Sequence, residues 1–277
     1  LTIELAGDTN DSDVVIVPRD KGIKQVILCG DADYQIGTGQ NGHAGDLVAN
    51  GIPMRFEAGS VYRLVGGGYD MDVESTELTV TGGLFHSCTG GGIVTKSESH
   101  AKVKDTAKLT FDGYIMRDSN YEYSQIYGGG QILSNTHRSD ISVGKTDLAF
   151  LDSDIALDMI MGGHYISGNG CIGTLDSSNI TVENSHITLG DGMYGAHAIN
   201  GQRRENMQTA TCGTIQIKVY DSNVEGDIGG GSFATADGII DIGSIDIYAE
   251  NSNIASIQAG GIYMGAFHFK IQDINVT

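Results

Sequence analysis

The chain has 277 residues and a mass of 29.2 kDa, with 41 glycines, 2 prolines and no tryptophan. Glycine at roughly twice its average usage, but not at every third position, excludes collagen, and a hydrophobic share of 40% can build a core. The formal charge of −19, from 35 acidic against 16 basic residues, predicts no nucleic-acid partner and no docking on anionic lipid, since both need a basic footprint; no apolar run approaches the ~18 residues of a membrane span, so no membrane insertion is expected.

In chain order, Leu1-Thr2-Ile3-Glu4-Leu5, Val14-Val15-Ile16-Val17 and Gln25-Val26-Ile27-Leu28 read as strands separated by Gly and Asp turns. Residues 1–60 are less regular than the rest of the chain and are expected to form first coils or a partial cap. The chain begins without Met and without a basic-plus-apolar leader. That start predicts a processed or excised segment, so the missing leader carries no information on secretion.

A cassette then repeats. Its centre reads Leu78-Thr-Val80, Leu109-Thr-Phe111, Leu148-Ala-Phe150, Ile180-Thr-Val182, Ile217-Lys-Val219 and Ile247-Tyr-Ala249. Two apolar positions separated by one residue have the period of a strand with one buried face. At a constant offset upstream lie Val73, Lys104 (with Val103 beside it), Val143, Leu175, Cys212 and Ile242; downstream lie Phe85, Met116, Ile155, Ile187, Val224 and Ile254. Polar turns come after each centre, as in Asp152-Ser153, Asn184-Ser185, Asp221-Ser222 and Asn251-Ser252. Asp, Asn and Ser bond back to nearby backbone, and Asn tolerates the left-handed region; stacked, these residues are expected to bond one another along the axis.

A glycine step comes next: Gly66-Gly67-Gly68, Gly90-Gly91-Gly92, Gly128-Gly129-Gly130, Gly162-Gly163, Gly195-Ala196, Gly229-Gly230-Gly231 and Gly260-Gly261. It predicts a third strand that bends sharply where a side chain would crowd the turn. The carboxyl end, Phe267-His268-Phe269-Lys270-Ile271, still reads as a strand. Three short strands per turn, apolar inward and polar outward, predict an all-β fold: a single-stranded parallel β-helix, right-handed by the usual choice, of about seven or more coils. One domain is expected over 1–277, with regular repeats over 61–265 and a last strand over 266–277. An antiparallel sandwich is the competing reading, because glycine turns also make hairpins.

The order apolar-x-apolar, Asp/Asn-Ser, Ile/Val, then Ile126-Tyr127-Gly128-Gly129-Gly130, resembles secreted parallel β-helix repeat proteins of the surface of Gram-positive gut bacteria. Leu78-Thr-Val-Thr-Gly-Gly83 is similar to a second unit of that class. The resemblance covers about residues 60–265. It implies an extracellular or cell-surface setting, often in long adhesin-like chains, and supplies no catalytic residues. The function it implies is a non-catalytic surface module whose partner is a host or microbial glycan or a surface protein.

The alternative is a polysaccharide-processing enzyme, a glycoside hydrolase or lyase with a cleft along the coil face. A glycosidase needs converging carboxylates. Asp70, Asp72, Asp152, Asp154, Asp158 and Asp191 are available, but most sit in turns where Asp has an ordinary structural use. No catalytic residue is assigned. Cys29, Cys88, Cys171 and Cys212 lie far apart without a CxxC, which argues against zinc or thioredoxin chemistry. Buried free thiols are expected, although an even count permits two disulfides. No metal site or cofactor is predicted; scattered surface calcium sites remain an open alternative, because carboxylates and turn carbonyls suit a hard cation.

The binding candidates are few. His164 and His197 fall just after the glycine step of adjacent repeats, where the preceding repeat is expected to hold Gln131. Such a pair makes a weak metal site without a third ligand, and stacked surface or turn histidines are the plainer reading. Tyr121 and Tyr123 lie in one loop and Arg203-Arg204 in the longest one. Loops on a rigid scaffold are where recognition concentrates.

Overall fold

A computed structural model describes residues 2–5, 14–30, 45–117, 124–133, 136–199, 207–234, 238–258, 260–263 and 267–277. The regular structure of the described residues is strand, apart from one short 3-10 turn at Arg19–Lys21. Among the described residues every strand pairing is parallel, and the strands form three sheets of ten, ten and six strands. The antiparallel reading is therefore excluded among the described residues.

The first sheet runs, in sequence order, Thr2–Leu5, Val26–Gly30, Met54–Phe56, Thr76–Val80, His100–Asp112, Asp140–Leu151, Ile172–Glu183, Gln208–Tyr220, Gly238–Glu250 and Phe267–Val276. The second collects strands lying between these, from Val14–Ile16 through Asp154–Met161 and His186–Tyr194 to Asn253–Gln258. The third holds Ile93–Val94, Gln131–Ile132, Tyr165–Ile166, Ala198–Ile199, Ser232–Ala234 and Gly261–Tyr263. In its later part the chain visits first, second and third sheet in turn, one cycle after another. Strands from residues 1–60 join the first two sheets in the same parallel sense.

The cassette centres are register partners. Leu78, Leu109, Leu148, Ile180, Ile217 and Ile247 form one column, and Val80, Phe111, Phe150, Val182, Val219 and Ala249 another. The upstream column runs Val73, Val103, Val143, Leu175, Cys212, Ile242 and Ile271, with the register slip falling after Val103. These positions belong to one continuous apolar core, where Phe111 stacks on Phe150 at 5.0 Å between ring centroids. Burying each such aliphatic or aromatic side chain is worth about 1.5–3 kcal/mol. All four cysteines are free thiols; Cys88, Cys171 and Cys212 are buried and Cys29 is half-buried.

Two expectations on strand layout need correction. The strands of the first sheet are not all short: upstream and central positions share one long strand, as in Asp140–Leu151. Its buried positions switch parity between Val143 and Thr146, so the strand bends there instead of ending. Nor is the strand before the glycine step a third one. Ile160 and Met161 continue the strand that carries Ile155, and the true third sheet comes after the glycines.

The turns after the centres are built as the residue types dictate. Asp152, Asn184, Asp221 and Asn251 have φ of 49°, 49°, 47° and 50°. Each following serine donates its hydroxyl to the carbonyl two residues back; Ser185 Oγ reaches Glu183 O at 2.8 Å. Its oxygen also accepts the backbone N–H of the serine one cycle earlier: Ser153 to Ser185 at 3.0 Å, Ser185 to Ser222 at 3.0 Å and Ser222 to Ser252 at 3.2 Å. The ladder satisfies backbone donors that a corner takes out of the sheet. At the glycine step, backbones of successive cycles pack directly on each other. A methyl group on Gly128 would sit 2.5 Å from Gly162 O, so only glycine fits.

Candidate functional site

The glycine bend creates a cleft. On the second sheet Ile126, Ile160, Met193 and Ile228 belong to the main core, while the alternating Tyr127, Met161 and Tyr194 belong to a separate cluster. Beyond the bend the third sheet folds back alongside, so outer-facing side chains of the two sheets meet. One column runs Val48, Val65, Thr89, Tyr127, Met161 and Tyr194. Facing it runs Ile93, Gln131, Tyr165, Ala198 and Phe233. Val48, Val65 and Ile93 form one apolar cluster, and Tyr127, Met159, Met161, Tyr194 and Ala198 another, with Tyr165 and Phe233 packed against it. The expectation of polar outward faces thus fails here, because a sharp bend buries both sides of the second sheet. Thr89 and Gln131 interrupt the apolar columns between the two clusters.

A cavity of about 330 Å³ opens at that interruption. Tyr62, Arg63, His86 and Ser87 form one side, Gln125 and Tyr127 the floor of the next strand, and Gln131, Leu133, Tyr165 and Ser167 the third-sheet side. Tyr62 and His86 stack at 4.9 Å with planes 5° apart, and the Arg63 guanidinium sits 4.9 Å from the Tyr62 centroid. Arg63 Nη1 donates to Asp46 Oδ2 at 3.0 Å, and the Tyr69 hydroxyl donates to the same oxygen. Burial opposes the Arg63 charge, but Asp46 outweighs it and holds the guanidinium above its usual pKa. Burial and the Asp46 carboxylate both raise Tyr69, so this phenol stays protonated. Tyr127 donates to Gln125 Oε1, and Gln125 Nε2 donates to Asp158 Oδ2 at 3.2 Å. Gln131 is only 4% exposed; its Nε2 donates to Ser87 Oγ at 3.2 Å and to Thr89 Oγ1.

A second, more open concavity of about 540 Å³ lies over the serine turns. Next to it Arg117 Nε donates to Asp154 Oδ2 at 2.6 Å, and His186 bridges Arg117 to Glu225, its Nε2 lying 3.1 Å from Glu225 Oε1. The Arg117 hydrogen bond lowers the Asp154 pKa, and the His186 hydrogen bond lowers that of Glu225. All of these groups are solvated, so the network adds little stability.

His164 and His197 are brought together, inside the protein. Both are 0% exposed and their rings stack at 5.1 Å. His164 Nδ1 accepts the Gly130 N–H at 2.9 Å, His197 Nδ1 accepts the His164 N–H at 3.2 Å, and Ser232 Oγ accepts the His197 N–H at 3.2 Å. Each Nε2 donates to a carbonyl, Thr174 O or Thr211 O, at 2.9 Å. Every ring nitrogen is occupied, so neither ring has a lone pair for a metal. The plainer reading of stacked turn histidines holds, but as buried groups and not surface ones. The equivalent of His164 in the preceding repeat is Gly130, while Gln131 is the register partner of Tyr165. Tyr121, Tyr123, Arg203 and Arg204 lie outside the described residues.

Among the described residues, no group of three or more His, Cys, Asp or Glu side chains could hold a metal ion, and no helix is long and apolar enough to cross a membrane. The cavity residues escape sequence reading because Tyr127 reads as one of the apolar residues before the glycine step, and Tyr62 and His86 carry no motif. A signal is present: aromatic residues recur beside the step at Tyr127, Tyr165, Tyr194 and Phe233. Comparison with protein-family models, curated proteins and solved structures finds no match.

Proposed function

We propose that the chain is a right-handed parallel β-helix acting as a non-catalytic extracellular surface module, and that it binds glycan in the cleft between its second and third sheets. The repeated visit to the three sheets in fixed order supports the helix, and right-handed crossovers are the rule for parallel strands. The resemblance to surface repeat proteins supports the setting. The observation that carries the binding role is the polar and aromatic cavity set into otherwise apolar columns, with Gln131 and Ser87 between the Tyr62–His86 stack and the Tyr127–Tyr165 pair. Rings with flat faces beside fixed amides and hydroxyls suit sugars.

The test is a glycan array probed with the folded chain and with a Leu133→Arg variant that puts a bulky charge at the cavity wall. Retention on at least one glycan by the parent and loss in the variant is the expected result. Equal retention by both would move binding away from this cleft.

One observation favours the enzymatic alternative. Burial, with Asp158 nearby as the second cause, raises the Asp191 carboxyl pKa, and a carboxyl with a raised pKa is what a glycosidase uses as its general acid. Reducing-sugar release that Asp191→Asn abolishes would establish that reading over the first.

A further inference from the structure

The ligand class can be read from the cavity, given the binding role just proposed. Gln131 takes the place held by Ile93 in the preceding cycle and Tyr165 in the next, and Thr89 the place held by Val65 and Tyr127. An apolar residue in either position would close the cleft without burying a polar group. A buried amide instead costs roughly 1–3 kcal/mol unless both ends are satisfied. The Nε2 end of Gln131 is spent on Ser87 and Thr89, and the Oε1 end, with no protein partner among the described residues, is open to the cavity and not sealed in the core. Ser87 accepts from Gln131, and its own proton has no acceptor there. Arg63 spends Nη1 on Asp46, and its Nε proton has no acceptor among the described residues either. The cavity wall thus offers one fixed acceptor and two donors within a small space, which matches hydroxyl groups that both give and take a hydrogen bond.

Charge narrows the class further. Among the described residues of the lining Arg63 is the one permanently charged side chain, and Asp46 balances it from behind. An anionic ligand would therefore have to share Arg63 with a carboxylate already in place, on a chain of net charge −19. A cationic ligand finds no carboxylate among the described residues of the lining. At about 330 Å³ the cavity lies at the small end of ligand sites. We infer that it takes one or two uncharged pyranose units of a neutral glycan, oriented by Gln131 Oε1, the Ser87 hydroxyl and the Nε edge of Arg63, against the tyrosine walls.

The experiment is affinity electrophoresis and titration calorimetry of the folded chain with neutral polysaccharides (β-glucan, xylan, galactomannan, starch) and acidic ones (polygalacturonate, alginate), each at low and high salt. Neutral binding that salt leaves unchanged is expected, weakened about tenfold by Ser87→Ala and by Gln131→Met, each a loss of one hydrogen-bonding group. Ser87→Ala removes only one oxygen, and its thermal unfolding is measured in parallel to show that the fold is intact. Preference for an acidic glycan, with affinity falling as salt rises, overturns the ligand class and leaves the cleft as a glycan site. Neutral binding unaffected by either substitution overturns the assigned residues. Binding to none of the polysaccharides overturns the glycan reading itself and this inference with it.

Discussion

Acidification from about pH 7.5 to about pH 5 should cost the fold about 4 kcal/mol through His164 and His197 alone. In the unfolded chain each imidazole binds a proton near pH 6.5. In the fold, burial and the neighbouring His197 push His164 down to about 3, and burial pushes His197 down to about 4. The native state holds no room for the charge, because each Nδ1 already accepts a backbone N–H. Below pH 6.5 the unfolded chain therefore binds protons that the native chain refuses, and stability falls as pH falls. At about pH 5 each ring forgoes about 1.5 units of binding, or about 2 kcal/mol at 1.36 kcal/mol per unit. The loss deepens until the pH reaches the folded values near 4 and 3, and then levels off. The carboxylates of Asp154 and Glu225, whose folded values are depressed, lose their contribution only at lower pH, below the ordinary carboxylate range. Urea unfolding at the two pH values, on the parent and on a His164→Gln/His197→Gln variant, separates the terms. Gln offers a comparable acceptor and donor but no titration. The parent should lose about 4 kcal/mol and the variant less than about 1 kcal/mol over this range. Equal losses in both would refute the argument, since the acid sensitivity would then lie elsewhere.

Other expectations rest on single contacts. Ser185→Ala leaves the Ser153 N–H without an acceptor and should cost about 1–3 kcal/mol, read as a lowered unfolding midpoint; the same change at Ser252, nearer the end of the ladder and more exposed, should cost less. Phe150→Ala removes a ring stacked on Phe111 in the core, and a loss of about 3–5 kcal/mol is expected in the same assay. Gly113 has φ of 60° with open space around the position of a Cβ, at the place that Asp152 and Asn184 fill in later cycles. Gly113→Asn should therefore be nearly neutral and Gly113→Val clearly destabilising, whereas Gly128→Ala should abolish soluble expression. Thiol labelling of the native chain should modify Cys29 well before Cys88 or Cys212, whose thiol pKa values burial raises, that of Cys212 to about 12.

Much of the architecture is written in local pattern. Leu78, Leu109, Leu148, Ile180, Ile217 and Ile247 recur with a second apolar residue two positions on, and parallel stacking in register is the arrangement that buries all of them together. The turns are legible for a similar reason: Asn, Asp and Ser are residues whose side chains can hold a left-handed corner, and they recur at one place. The bend within the long strand is less legible. Its mark is a change of parity between Val143 and Thr146, which looks like a break between strands until the backbone is seen to run through it.

The candidate site is hardly legible at all. His164 and His197 stand out in the sequence as a repeated polar pair, yet burial turns them into donors and acceptors for the corner backbone. Gln131, Ser87 and Arg63 come from separate stretches of chain and have no motif in common. The period, the inward columns and the turn chemistry can be read from residue order alone, because they depend on neighbours along the chain and on one repeated register. Where the outer faces of the second and third sheets meet is settled in three dimensions. It depends on the angle of the glycine bend, which sets which side chains face one another across the cleft and leaves Gln131 buried with one end of its amide open.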